Sequence, residues 1–156
     1  MKAIIRKGKK EDLPQVLDLI KELAHYEKAP QEVTVTVHEL EEDSFSAHPV
    51  FYFFVAEVEQ KIVGTAIYYI KYSTWKGKCV FLEDIIVKED FRGKQIGKEL
   101  FEEVIRASRD LNAKRMEWQV LDWNEPALNF YKKFNAHVDP TWVNCKLVEE
   151  QLKEFV

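Results

Sequence analysis

Phe81-Leu82-Glu83-Asp84-Ile85-Ile86-Val87-Lys88-Glu89-Asp90-Phe91-Arg92-Gly93-Lys94-Gln95-Ile96-Gly97-Lys98 is the stretch that decides how this chain folds. It reads as an apolar strand broken by two adjacent acids, then a tight basic turn with two glycines, then a helix from about Gln95. Strand, glycine turn and helix in that order build an anion site, because N–H groups at a helix N-terminus lack partners and carry about half a positive charge. Arg92, Lys94 and Lys98 add three cations with no acid between them. The plainer alternative is an ordinary strand-turn-helix with a solvated basic turn. No P-loop pattern is present and no G-x-G-x-x-G follows a strand, which leaves Arg92-Gly93-x-x-Ile96-Gly97 as the motif to explain.

Outward toward the N-terminus, Lys78–Val87 is preceded by the turn Thr74-Trp75-Lys76-Gly77 and the long run Lys61–Tyr72. Phe51–Val58 precedes that run across Glu59-Gln60, two residues that can turn one strand directly into the next. Three strands on short links make an antiparallel meander and exclude a doubly wound parallel sheet for this half. Before it, Ala3–Lys7 reads as a strand and Lys10–Tyr26 as a helix with Leu13, Val16, Leu17, Ile20, Leu23 and Ala24 on one face. Thr36-Val37-His38-Glu39 is a capping box opening a short helix to Phe45.

Outward toward the C-terminus, Gln95 to about Leu111 has helical period, with Ile96, Leu100, Phe101, Val104, Ile105 and Leu111 inward. Lys114–Val120 reads as a strand, and the intervening helix makes it a parallel neighbour of Lys78–Val87. Asn124 is placed to cap a helix that has Pro126 in its first turn and presents Ala127, Leu128, Phe130, Tyr131 and Phe134. Ala136–Val138 and Trp142–Val148 read as a closing pair of strands, and Glu149–Val156 as a terminal helix. The order predicts a mixed α+β fold, helices on a twisted sheet, in one domain spanning residues 1–156.

Composition narrows the function. The chain has 156 residues, 46% of them hydrophobic and 32% charged, which suits a folded domain with a substantial core and excludes disorder. A net charge of −4 argues against a nucleic-acid partner. No apolar run reaches membrane-spanning length and no signal-peptide pattern opens the chain, so a cytoplasmic protein without membrane partners is expected. Cys79 and Cys145 sit in apolar runs and read as reduced core thiols. The four histidines form no i, i+4 pair, so no metal is expected. Residues 22–59 carry nine acids against the single Lys28. An acidic N-terminal third and a basic turn at 92–98 suit a protein that brings a cation to a polyphosphate, although a solvated acidic surface explains most of these charges equally well.

The turn Arg92-Gly93-x-x-Ile96-Gly97 resembles the R-x-x-G-x-G/A turn with which GNAT N-acetyltransferases hold the pyrophosphate of acetyl-CoA. Gln95 departs from it, standing where the family usually has glycine; its N–H is retained, and a negative φ in a first helical turn would keep the cradle intact. The order of elements is similar to the acetyltransferase fold over the full length. Ile20-Lys21-Glu22-Leu23-Ala24-His25-Tyr26-Glu27, Leu82-Glu83-Asp84 and Trp123-Asn124-Glu125-Pro126-Ala127-Leu128-Asn129-Phe130-Tyr131-Lys132 look like the diamine acetyltransferases, the spermidine/spermine N1-acetyltransferase branch.

That resemblance implies acetyl-CoA as co-substrate and a set of roles. Residues Arg92, Gly93, Lys94, Gln95, Ile96, Gly97 and Lys98 would cradle the pyrophosphate. Backbone groups of Ile85, Ile86 and Val87, freed by a splay between the 78–87 and 114–120 strands, would pair with the pantetheine amides, with Asn124, Pro126 and Ala127 beside them. Glu83 occupies the base position, acting through an ordered water, and Tyr131 that of general acid to the thiolate, which suits a phenol of pKa about 10. In regular strand geometry Glu83 and Asp84 point to opposite faces; a structural alternative pairs either of them with Arg6 or Lys78. Glu27 and Asp84 are candidate partners for the amine, with Tyr26, Trp75 and Trp123 as aromatic walls. The polyamine enzymes carry an aspartate in the Tyr-x-x-Trp turn, whereas Ser73 stands here, as in the sister enzymes acting on thialysine. The expectation is an acetyl-CoA-dependent N-acetyltransferase of a small cationic amine, homodimeric like its relatives. A non-catalytic acyl-CoA-binding module and an acetyltransferase of protein amines are the alternatives.

Overall fold

The computed structural model describes residues 2–156, whose contacts fall into two compact units that divide between Gln119 and Val120. The first holds a five-stranded sheet of β1 (Ile4–Lys7), β2 (Tyr52–Val58), β3 (Lys61–Ser73), β4 (Gly77–Val87) and β5 (Met116–Trp118), adjacent in chain order. Strands β1 to β4 pair antiparallel, and β5 joins β4 in parallel. Three helices complete it: α1 (Leu13–Tyr26), α2 (Val37–Phe45) and α3 (Ile96–Asp110).

Local chemistry sets the meander. Glu59 and Gln60 both adopt positive φ, 48° and 65°, the twist that a two-residue hairpin requires. At the next turn the Ser73 hydroxyl accepts from the N–H groups of Trp75 and Lys76, both at 3.2 Å, and Gly77 takes φ 104°. The entry to α1 is pinned by Asp12, which accepts from Arg6 at 2.7 Å and from the Lys9 N–H at 2.7 Å. Arg6 also holds Glu57, and the Lys78 ammonium donates to the Leu111 carbonyl. Both cations are therefore committed away from Glu83 and Asp84.

The sheet is covered on both faces. Leu13, Val16, Leu17 and Leu19 of α1 pack with Leu40 of α2 on Phe53, Val55, Ile67 and Ile86. Burying each such side chain stabilises by about 1.5–3 kcal/mol. The opposite face carries α3, whose Leu100, Phe101 and Val104 are buried. Gly64 permits that approach: a Cβ there would stand 3.1 Å from both Leu100 Cδ1 and the Ile86 carbonyl.

Three expectations need correction. β5 is three residues long, not seven: its ladder opens beside Lys78 and ends at Leu82↔Trp118, while β4 runs on to Val87. The second unit contains α4 (Glu125–Lys132) and α5 (Glu149–Glu154), but Ala136–Val138 and Trp142–Val148 form no strand among the described residues. A β-prone run becomes a strand only when an edge pairs with it, and residues 142–148 are exposed throughout. Cys145 lies in that run and is exposed as a free thiol, whereas Cys79 is buried as expected.

Candidate active site

The basic turn enters α3 through two left-handed residues, Gly93 at φ 75° and Gln95 at φ 66°. The negative φ expected of Gln95 is not what forms. The residue lies outside the first helical turn, as the N-cap, at a position whose backbone suits glycine and strains any side chain. Its carbonyl accepts from Glu99 at 2.9 Å, which opens the helix and leaves the N–H groups of Ile96, Gly97 and Lys98 without helical acceptors. Left-handed residues interspersed in such a turn make a concave nest of N–H groups. Arg92, Lys94 and Lys98 are exposed around it. The Arg92 Nε donates to the Val87 carbonyl at 3.0 Å, and its guanidinium carbon stands 5.7 Å from the ring centroid of Tyr26. Lys94 lies over Phe91 at 5.2 Å.

The acids meet through a bulge. β4 pairs Asp84 with Ile67 and Leu82 with Tyr68, leaving Glu83 as the extra residue. Phe81, opposite Tyr69, and Asp84, opposite Ile67, thus share a face, and the intervening Glu83 joins them instead of pointing away. This is the face covered by α1, whose C-cap is Glu27. Burial, then Glu83, then Glu27 push the Asp84 carboxyl up to about 7. Burial and Glu83 raise Glu27 as well, and the Tyr69 phenol is raised by burial and by Glu83. Three carboxylates are therefore crowded, and Asp84 holds a proton near neutrality. An entering ammonium would relieve their repulsion, and a group poised at such a pKa can take its proton.

The splay is present within the first unit. Beyond Leu82, β4 continues through Ile85, Ile86 and Val87 paired with β3 alone among the described residues, so one edge of these residues has no strand partner there. In the second unit Asn124 caps α4 by accepting from the Ala127 N–H at 3.3 Å, with Pro126 in the first turn. Tyr131 on the same helix is buried, its ring 5.3 Å edge-on from Phe130.

Of the expected aromatic walls, Tyr26 adjoins the cluster but lies beneath Arg92. Trp75 is 79% exposed at the tip of the β3–β4 hairpin, beyond Ser73, which itself lies about 20 Å along β3 from Ile67, and it does not line the carboxylates. Trp123 is half-exposed in the second unit. Sequence reading missed Tyr69 and the bulge. Strict alternation along β3 from Ile67 would have put Tyr69 on the α1 face, but no residue type announces a bulge at Glu83.

Residues 13–136 match the Acetyltransferase (GNAT) family. The chain is 37% identical over 141 residues to thialysine N-epsilon-acetyltransferase of Bos taurus, covering 85% of this chain and 83% of that one. It is 35% identical over 139 residues to spermidine/spermine N(1)-acetyltransferase-like protein 1 of Homo sapiens, covering 85% of this chain and 20% of that one. An integron cassette protein from the mobile metagenome of V. cholerae superposes with TM-score 0.78 at 22% identity over 99% of this chain and 97% of that one, a likeness of fold. Matched over most of its length, the chain belongs to the acetyltransferase (GNAT) family and is an N-acetyltransferase.

Proposed function

We propose that the protein moves the acetyl group of acetyl-CoA to the primary amine of a small cationic substrate, by direct attack in a ternary complex. One observation carries this reading: the N–H-rich basic turn and the crowded carboxylates stand at the same end of one strand, β4. The turn suits a coenzyme A diphosphate, since a Cβ at Gly93 would meet nothing within 4 Å and three helical N–H groups are unclaimed. The single-edged residues Ile85, Ile86 and Val87 can pair with its amides, and Asn124, Pro126 and Ala127 are assigned to the same ligand. Bound there, acetyl-CoA supplies the thioester.

The chain's own residues do the rest. Glu27 and Asp84 hold the ammonium. A primary amine has pKa about 10 and is almost wholly protonated at neutral pH, so Glu83 removes its proton through an ordered water, with Asp84 beside it. Tyr131 returns a proton to the leaving thiolate. Ser73 spends its hydroxyl on the turn and supplies no second anion, which favours a thialysine-like amino acid over a long polyamine. We further infer a cytoplasmic homodimer folded as one domain. No helix among the described residues is long and apolar enough to cross a membrane. Exposed Trp142, Val143 and Leu147 offer an edge to a second copy, and the family match runs across the boundary at residue 119.

The test is thiol release from acetyl-CoA with thialysine, lysine, putrescine and spermidine, for wild type and Tyr131→Phe. Turnover with thialysine foremost, reduced about tenfold or more by Tyr131→Phe, is expected of a general acid. Coenzyme binding without turnover on any amine would make the protein a binding module. Turnover only on lysine in peptides would make it a protein acetyltransferase.

A further inference from the structure

We propose that Arg92 is a positioning residue that couples the coenzyme turn to the amine site through the ring of Tyr26, so that the two ligands bind cooperatively. The inference rests on the assignments just made, the turn to coenzyme A and the carboxylates to the amine.

Arg92 meets the ends of both elements that lead to the carboxylates. Its Nε donates to the carbonyl of Val87 at 3.0 Å, the last residue of the strand that carries Glu83 and Asp84. Its guanidinium lies over Tyr26 at 5.7 Å, the last residue of α1, and the next residue is Glu27. The chain leaves the helix there: the Glu27 N–H still bonds the Leu23 carbonyl at 2.9 Å, and Lys28 follows with φ 64°. One guanidinium thus spans the ends of the two elements that supply the three acids. With Nε and one face engaged, the Nη groups remain to meet an anion in the turn. An anion that fixes this side chain also fixes the ring beneath it and the helix end beside Glu27. Linkage requires the reverse: a cation that settles Glu27 must tighten the turn's hold on its anion by the same factor.

Titration calorimetry with coenzyme A, alone and with saturating thialysine or putrescine, reads that factor without turnover. In the wild type an amine should tighten coenzyme A about two- to fivefold, the worth of a partly exposed cation–π contact. Tyr26→Phe keeps the ring and should keep the factor. Tyr26→Leu should bring it to one, with coenzyme affinity in the absence of amine within about twofold of wild type. Coupling retained in Tyr26→Leu, or coenzyme binding that neither amine shifts in the wild type, overturns the inference alone. Failure of the wild type to bind coenzyme A overturns the assignment of the turn, and this inference with it.

Discussion

The two halves of β4 differ in one respect. From Lys78 to Leu82 the strand is held on both edges, by β3 and by β5, and its apolar residues Cys79, Val80 and Leu82 are buried. From Glu83 to Val87 it is held by β3 alone, opens with a bulge, and carries the adjacent acids Glu83 and Asp84. Pairing on both edges in the first half holds the sheet together; in the proposed mechanism the single-edged second half supplies backbone groups and charges to the ligands.

Glu83→Gln tests the chemical half and should show the largest effect, a fall in kcat of about 10²–10⁴ with the circular dichroism and melting temperature little changed. A loss below about tenfold would return the proton transfer to another group. Leu82→Ala, one residue away, should do the opposite. Urea unfolding should lose about 2–5 kcal/mol, while kcat per folded molecule stays near wild type. If Leu82→Ala abolished turnover in molecules that remain folded, the division of the strand would be wrong.

Asp84→Asn gives a smaller effect with a definite pH signature. Folding raises this carboxyl to about 7, so its contribution to stability is whole below about pH 4, its ordinary value, and is lost as pH rises to about 7. The melting temperature of Asp84→Asn relative to wild type should climb across that window and level off above it. A difference independent of pH would contradict the crowding of Glu27, Glu83 and Asp84. Gln95→Gly should have the smallest effect, a gain of up to about 1 kcal/mol from relief of a left-handed side chain. A loss of stability would mean that the side chain holds the turn.

Much of this was legible in the residues. Hydrophobic period located α1, α3 and the meander, since each buries one face against the sheet. Asn124 and Pro126 announced α4, because a helix start needs an acceptor and tolerates a missing N–H. The turn at 92–98 was visible for the same reason. What escaped depends on partners, not on residue type. Glu83 and Asp84 share a face only because β3 pairs around an extra residue. Gln95 takes φ 66° because the loop geometry requires a left-handed step at a position where glycine is absent. Residues 142–148 have strand composition but form no strand among the described residues.

The most direct measurement of the central claim is a crystal structure with coenzyme A bound. The diphosphate should lie against the N–H groups of residues 93–98, with the pantetheine amides paired along Ile85–Val87 and the sulfur beside Glu83 and Asp84. A diphosphate held anywhere else, with residues 93–98 facing only solvent, would contradict it.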